Sequence, residues 1–254
     1  MEATHGVFDT AVRLSRRFAG PGGYGIAYGS HAAGISSRQS DLDLVVISVE
    51  PLGVVEIDEL VAGVTVLHHE HGLLLDTEVD HIKKIHATVR DVDSATSLRC
   101  FPLQANGEVD LPAVVPQSWF LNSDTFRLRL LLNALTTPHV FLDGDIGRFD
   151  QDRRAAERAV ALLAMAASRS VSPSTRVLMR VLCVRSDGSA GEDFLGYTPG
   201  PHLYSVLRRG LARLRDENLV TTIDGDRYEY DPTSIRTAIA QSRDQAWRRG
   251  LMQG

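Results

Sequence analysis

Cysteine is scarce in this chain and long apolar runs are missing, and each shortage excludes a class of protein. Only two cysteines occur among the 254 residues, Cys100 and Cys183, and both lie in apolar contexts typical of buried thiols. A disulfide-stapled scaffold is therefore not expected. No apolar run approaches the roughly 18 residues needed to span a bilayer, and the N-terminal segment lacks the basic-then-apolar order of a signal peptide. We therefore expect a cytoplasmic protein with no membrane partner.

A strong charge of either sign is also missing. The formal net charge is -5, which provides no general field for nucleic acid or an anionic membrane. RNA is therefore not the favoured partner, although a local basic patch can still contact it. The length suits one large domain or two smaller ones, with ample core in either case.

The character of the sequence changes in its second half. Helical and strand-like segments alternate at first, and the remainder is mostly helical in pattern. We therefore expect an α+β protein, in which a small mixed sheet with flanking helices (1–149) is followed by a mainly helical C-terminal domain (150–254). In this interpretation the second domain ends in a winged-helix-like hairpin over 220–232, with Asp224-Gly225 as its two-residue turn.

A glycine-rich turn near the N-terminus carries a misleading motif. Gly20, Gly22 and Gly25 match the G-x-G-x-x-G fingerprint of dinucleotide-binding proteins. That motif needs a strand before it and a helix after it, whereas here a predicted helix precedes the glycines and a predicted strand follows. We therefore interpret the glycines as a flexible helix-to-strand turn.

The segment "SDLDLVVIS", residues 40–48, places two aspartates in an apolar strand. Asp41 and Asp43 are spaced i, i+2, so their carboxylates project from one face of a strand while Leu42 and Leu44 pack on the other. Burying two carboxylates together is costly and demands compensation. A bound cation is the favoured compensation, because Mg2+ prefers oxygen ligands of this kind.

Upstream of the aspartates, a Gly-Ser pair lies at a predicted strand-to-helix turn. Gly29 lets the backbone approach a ligand closely, and the Ser30 hydroxyl with the following amides can hold phosphate oxygens. Gly34 keeps the connecting turn open. The sequence thus places a phosphate-binding turn one short loop from a metal-binding pair.

A further acidic strand is predicted over 73–79, before a predicted helix over 81–89. Asp76, Glu78 and Asp80 alternate with apolar or neutral neighbours, so they share one face of that strand. A strand next to the two aspartates would bring one of these acids to the same site.

Together, Gly29-Ser30, Asp41-x-Asp43 and an acid on the next strand resemble the DNA polymerase β-type nucleotidyltransferase superfamily. The resemblance is greatest to its small bacterial branch, with the aminoglycoside nucleotidyltransferases and the minimal nucleotidyltransferases, and it covers roughly residues 24 to 85. It implies that Gly29 and Ser30 bind the nucleotide phosphates. It also implies that Asp41, Asp43 and Asp76 are the catalytic residues that hold two Mg2+ ions, with Glu78 as a rival for the third carboxylate.

The expected activity follows from that resemblance. It is Mg2+-dependent transfer of a nucleoside monophosphate from a nucleoside triphosphate to a hydroxyl of a small-molecule acceptor, with release of pyrophosphate. AMP is the expected group and ATP the expected donor. The acceptor is, for example, an antibiotic or a biosynthetic intermediate. The acidic balance suits a cationic acceptor, and a homodimer is expected by analogy with small relatives. Two alternatives stay open: transfer to a macromolecule (a tRNA end, or a partner protein of the toxin-antitoxin type), and a non-enzymatic regulator that binds nucleic acid.

Three further clusters of polar residues favour structural roles. A histidine-rich stretch can bind zinc, but without cysteine partners a solvated turn is favoured. It consists of His68, His69, Glu70 and His71. Four aspartates surround a predicted strand-to-helix turn, where helix capping is favoured over a catalytic role. They are Asp143, Asp145, Asp150 and Asp152.

The third cluster is basic and lies on a predicted C-terminal helix just before the hairpin. Its four arginines can contact nucleic acid phosphates. They are Arg208, Arg209, Arg213 and Arg215. An amphipathic helix that closes the helical domain is favoured instead, because the hairpin that follows is acidic and would repel phosphates.

Overall fold

The computed structural model describes residues 2–37, 40–75, 84–99, 101, 124–183 and 200–252. Within them the chain is a mixed α+β protein with a small mixed sheet, as expected. Among the same residues, no helix combines the length and the apolar composition of a membrane span. The chain divides into two compact units: Met1–Val92 with Thr137–Gln151, and Asp93–Thr136 with Asp152–Gly254.

This division is discontinuous, whereas we expected a single boundary after residue 149. Residues 93–136 belong to the second unit, where hydrogen bonds join them to distant parts of the chain. The Arg243 guanidinium donates to the backbone oxygens of Leu98 and Phe101, both at 2.7 Å, and the His202 ring is hydrogen-bonded to the Thr136 carbonyl oxygen. Such long-range contacts leave no periodic signal in the sequence.

The described elements follow one another in a simple order. They are α1 (Glu2–Phe18), β1 (Tyr24–Tyr28), α2 (Gly29–Ala32), β2 (Asp43–Ser48), α3 (Val54–Glu70), β3 (His86–Thr88), α4 (Val89–Thr96), α5 (Asp124–Thr136), β4 (His139–Gly144), α6 (Ile146–Ala167), α7 (Thr175–Cys183), α8 (Gly200–Asp216), β5 (Thr221–Asp224), β6 (Arg227–Glu229) and α9 (Pro232–Met252). The sheet of the first unit has the strand order β3-β2-β1-β4. Strand β1 is antiparallel to β2 and β4, and β2 is parallel to β3.

Strand β3 occupies part of the segment that we predicted to be helical (81–89). It pairs with β2 in the register Val46↔His86 and Ser48↔Thr88. A three-residue strand is too short to show a period of two, so pairing with β2 overrides the local pattern. Of the strand predicted over 73–79, the first three residues have no regular structure, and the rest lies outside the described residues.

The two faces of the sheet are covered differently. Leu44 and Val46 belong to a buried cluster that also contains Phe18 of α1 and Leu60 of α3. On the opposite face, the Phe149 ring lies 5.5 Å from the Tyr24 ring and 5.4 Å from that of Phe141. Because side chains alternate along β2, Asp43 lies on the aromatic side, at the point where the strand begins.

In the second unit, the C-terminal hairpin is present with its turn one residue later than predicted. Asp224 pairs with Arg227, so the two-residue turn is Gly225-Asp226. The chain does not end at this hairpin, contrary to our interpretation, but continues as helix α9. Asp231 caps that helix by accepting hydrogen bonds from the Thr233 and Ser234 amides at 3.1 and 2.9 Å.

Half of the predicted basic stripe on α8 is used inside the second unit. Glu157 of α6 is only 1% exposed, and Arg209 and Arg213 of α8 bind its carboxylate at 2.6 and 3.0 Å. Arg153 binds the same carboxylate at 2.8 Å. Two of the four stripe arginines are therefore engaged within the fold, as expected for a helix that closes a domain.

Candidate functional site

A small pocket opens in the first unit where β1 ends and β2 begins. Its polar lining residues are Tyr28, Asp41, Asp43, His68 and Lys84. Two of these residues, Asp41 and Asp43, are the aspartates predicted to bind metal. The structure thus brings both carboxylates to one concave surface.

The strand containing the aspartates is shorter than predicted. Strand β2 begins at Asp43, and Asp41 lies two residues before it. Both aspartates are half-buried, whereas Leu42 between them is 3% exposed and packs in the apolar cluster under the sheet. The alternation expected of a strand therefore extends to Asp41, because Leu42 anchors the segment and leaves both carboxylates at the pocket.

The Gly-Ser turn lies directly against one of the carboxylates. Strand β1 ends at Tyr28, and Gly29 and Ser30 begin helix α2, as predicted. Gly29 has a φ of +75°, and a β-carbon at this position would overlap the Asp43 carboxylate. Only glycine satisfies both conditions, because other residues rarely adopt a left-handed conformation and all of them carry a β-carbon.

The negative charges of both carboxylates reach the Tyr28 hydroxyl. Tyr28 pairs with Asp43 across the β1–β2 ladder, and its side chain is buried. Burial raises the pKa of the Tyr28 hydroxyl well above its ordinary value, and the negative charges of Asp43 and then Asp41 raise it further. The Tyr28 hydroxyl therefore remains protonated beside the two acids at neutral pH.

His68 is a residue of the site that the sequence did not reveal. We expected a solvated turn over the histidine-rich stretch, but His68 lies buried in the last turn of α3. Its Nε2 accepts a hydrogen bond from the Leu42 amide at 3.1 Å, and its Nδ1 donates to the Val64 carbonyl at 2.8 Å. A signal existed: Leu60, Val64 and His68 recur at a spacing of four, on one face of the helix. His69 is exposed, as expected, but it lies in the last turn of α3 and not in a loop.

The candidates for the third carboxylate, Asp76 and Glu78, lie outside the described residues, as does Asp80. Lys84 and Ile85 immediately precede β3 and line the pocket with the two aspartates. In the described ranges, no group of three or more histidine, cysteine or acidic side chains is arranged to hold a metal. Asp41 and Asp43 nevertheless provide the hard oxygen donors that Mg2+ prefers, so the donor set present fits that ion.

Helix capping, which we favoured for the four aspartates near the turn between β4 and α6, is confirmed for Asp145. Asp143 forms an ion pair instead, and Asp150 and Asp152 lie within α6. Asp145 caps α6 by accepting a hydrogen bond from the Arg148 amide at 2.9 Å, and Asp143 binds Arg16 at 2.7 Å. Gly20 and Gly22 have φ values of +67° and +76° in the turn between α1 and β1. A helix precedes these glycines and a strand follows, so the dinucleotide-binding context is absent.

Alanine substitutions at Gly29 and Gly34 separate the effect of a positive φ from the effect of a close carboxylate. Gly34 also has a positive φ, +70°, but a β-carbon there meets no atom within 4 Å. We expect Gly34→Ala to lower the free energy of unfolding by about 1 kcal/mol through backbone strain alone. Gly29→Ala should lose roughly 1–3 kcal/mol more, since the β-carbon displaces the Asp43 carboxylate. Urea denaturation of both variants measures the difference, and equal losses would contradict the close approach.

Tyr28→Phe tests the burial of the hydroxyl beside the acids. Because the pKa of Tyr28 is raised in the folded state, its contribution to stability is complete below the unfolded pKa of about 10 and is lost as the pH rises above it. The free energy of unfolding of the wild type, measured relative to Tyr28→Phe, should therefore fall by about 1.4 kcal/mol per pH unit above pH 10. A difference between wild type and Tyr28→Phe that does not change with pH in this range would contradict the burial of the hydroxyl beside the acids.

Comparison with known proteins identifies no relative of this chain. No family model, no curated protein and no solved structure matches the chain. The function is therefore inferred from the residues of the pocket, their charges and their placement at the ends of β1 and β2.

Proposed function

We propose that this chain is a magnesium-dependent nucleotidyltransferase of the DNA polymerase β type. One observation carries the proposal: Gly29, at the start of the Gly-Ser turn, lies against the Asp43 carboxylate, and Asp43 lines a single pocket with Asp41. A left-handed glycine pressed against a half-buried acid, beside a second acid, has little value for stability alone. It is useful where a phosphate and a cation must lie side by side.

The reaction that suits this pocket is transfer of a nucleoside monophosphate to a hydroxyl of a small-molecule acceptor. AMP is the preferred group and ATP the preferred donor. The acceptor oxygen forms a bond to the α-phosphorus, the bond to the β-phosphate oxygen breaks, pyrophosphate leaves, and the hydroxyl proton passes to water. Two Mg2+ ions, when bound, supply the positive charge that stabilises the attacking and leaving oxygens. Asp41 and Asp43 would hold them, together with Asp76 or Glu78.

The chain's own residues prepare the site for these charges. Gly29 carries no side chain, so the turn that opens α2 can approach phosphate oxygens closely. The buried Tyr28 hydroxyl stays protonated and adds no third negative charge to the pocket. Asp41 and Asp43 remain half-buried, which reduces the screening of their charge by water.

A small-molecule acceptor remains preferred over a macromolecule. The arginines of α8 form a basic stripe in the sequence, but Arg209 and Arg213 are bound to Glu157. The hairpin beside them is acidic at Asp224, Asp226 and Glu229. These charges support neither a tRNA acceptor nor a nucleic-acid-binding regulator. An acidic chain suits a cationic acceptor such as an aminoglycoside-like antibiotic, although other biosynthetic intermediates with a hydroxyl fit the same chemistry.

Calorimetry with each nucleoside triphosphate, with and without Mg2+, tests the proposal. Wild type should bind one triphosphate in a Mg2+-dependent manner, and Asp41→Asn and Asp43→Asn should each weaken binding at least tenfold, because each removes a charged oxygen ligand. Asp58→Asn serves as the control, since Asp58 is exposed on α3 and does not line the pocket, and it should bind as wild type does. A folded wild-type protein that binds no triphosphate would falsify the proposal.

Asp76→Asn and Glu78→Gln decide which acid is the third carboxylate. The third acid chiefly serves the attacking hydroxyl, so its loss should abolish transfer and leave Mg2+-dependent triphosphate binding within about threefold of wild type. The other variant should retain both properties. Release of pyrophosphate, measured with a panel of hydroxylated cationic acceptors, reports transfer. If neither variant loses activity, the third ligand lies elsewhere.

A further inference from the structure

The ladder between β1 and β2 stops short of the first aspartate. Its last pair is Tyr28↔Asp43, so Asp41 and Leu42 lie beyond the paired strand. One hydrogen bond of this backbone is made with the neighbouring helix: the Leu42 amide donates to His68 Nε2 at 3.1 Å. His68 thus provides at residue 42 the acceptor that a neighbouring strand would otherwise provide.

The imidazole is itself held in one orientation. Its Nδ1 must carry the hydrogen, because it lies 2.8 Å from the Val64 carbonyl oxygen, which can only accept. Its Nε2 is then the lone-pair nitrogen that faces the Leu42 amide. Both the tautomer and the ring plane are fixed by backbone atoms, and the ring is almost fully buried.

We propose that His68 is a positioning residue for the two aspartates, an inference that rests on the proposed function. Leu42 is the only residue between Asp41 and Asp43, so fixing its amide limits rotation of the backbone that carries both carboxylates. The side chain of Leu42 is anchored in the apolar cluster, and His68 anchors its backbone. With both anchors in place, the two carboxylates have a fixed separation before any cation binds, which lowers the entropic cost of binding.

Three variants separate positioning from mere packing. His68→Leu fills the space but offers no acceptor. His68→Gln presents an amide oxygen near the position of Nε2, and His68→Asn keeps an amide whose shorter side chain reaches only the position of Nδ1. His69→Leu is the matched control, because His69 is adjacent in sequence but exposed. The Gln and Asn variants are equally polar, so that pair remains informative if His68→Leu does not fold.

Two measurements on the full chain, at a temperature where circular dichroism shows each variant to be folded, test the inference. Hydrogen exchange of the Leu42 amide by NMR should be slow in wild type, His68→Gln and His69→Leu, and at least tenfold faster in His68→Leu and His68→Asn. Mg2+-dependent binding of the triphosphate that wild type prefers, with ATP tried first, should follow the same division, with at least tenfold weaker binding in the two variants that lack the acceptor.

The outcomes distinguish this inference from the proposed function. If wild type binds Mg2+-triphosphate and His68→Asn binds it as tightly, the positioning role is wrong and the proposed function stands. The positioning role is equally wrong if Leu42 exchange is unchanged in both variants that lack the acceptor. If wild type binds no triphosphate, the proposed function fails and the inference fails with it. Loss in His68→Asn with recovery in His68→Gln supports the role, because a general loss of stability would not be reversed by one amide oxygen.

Discussion

The antiparallel register of β1 against β2 is the constraint on which the site depends. Because Tyr28 is paired with Asp43, the end of one strand delivers the Gly29 turn to the beginning of the other. A shift of one residue would exchange the faces of the strand and place Leu42 or Leu44 against the turn instead of a carboxylate. The apolar cluster holds the register, since Leu42, Leu44 and Val46 must all remain beneath the sheet.

The pocket concentrates negative charge in a partly desolvated place, and its other residues reduce the energetic cost of that charge. Asp43 lies against a glycine that has no side chain to exclude it. The neighbouring Tyr28 hydroxyl is kept neutral by burial and by the same acids. Lys84 lines the pocket and contributes a positive charge to it, which offsets part of the repulsion in the absence of a cation.

Local patterns in the sequence were sufficient to predict the parts of the site that depend on neighbours along the chain. The i, i+2 spacing of Asp41 and Asp43 and the glycine at a strand-to-helix turn follow from backbone geometry alone, and the structure places these residues together. Contacts between distant segments were not predictable in this way. The Leu42 amide that donates to His68 lies 26 residues away in the sequence. Strand β3 forms by pairing with β2, so its own three residues do not identify it as a strand. For the same reason, Arg209 and Arg213 form a basic stripe in the sequence, whereas the folded helix directs them to a buried carboxylate on α6.

Because the first unit is discontinuous in sequence, its sheet can be completed only late in translation. Strand β1 has two neighbours, and β4 reaches it only after residues 93–136, which belong to the second unit, have been made. During translation the nascent sheet therefore has β2 on one side of β1 and an open row of backbone amides and carbonyls on the other. Such an edge can pair with another chain, and it stays open until His139–Gly144 emerges and covers it.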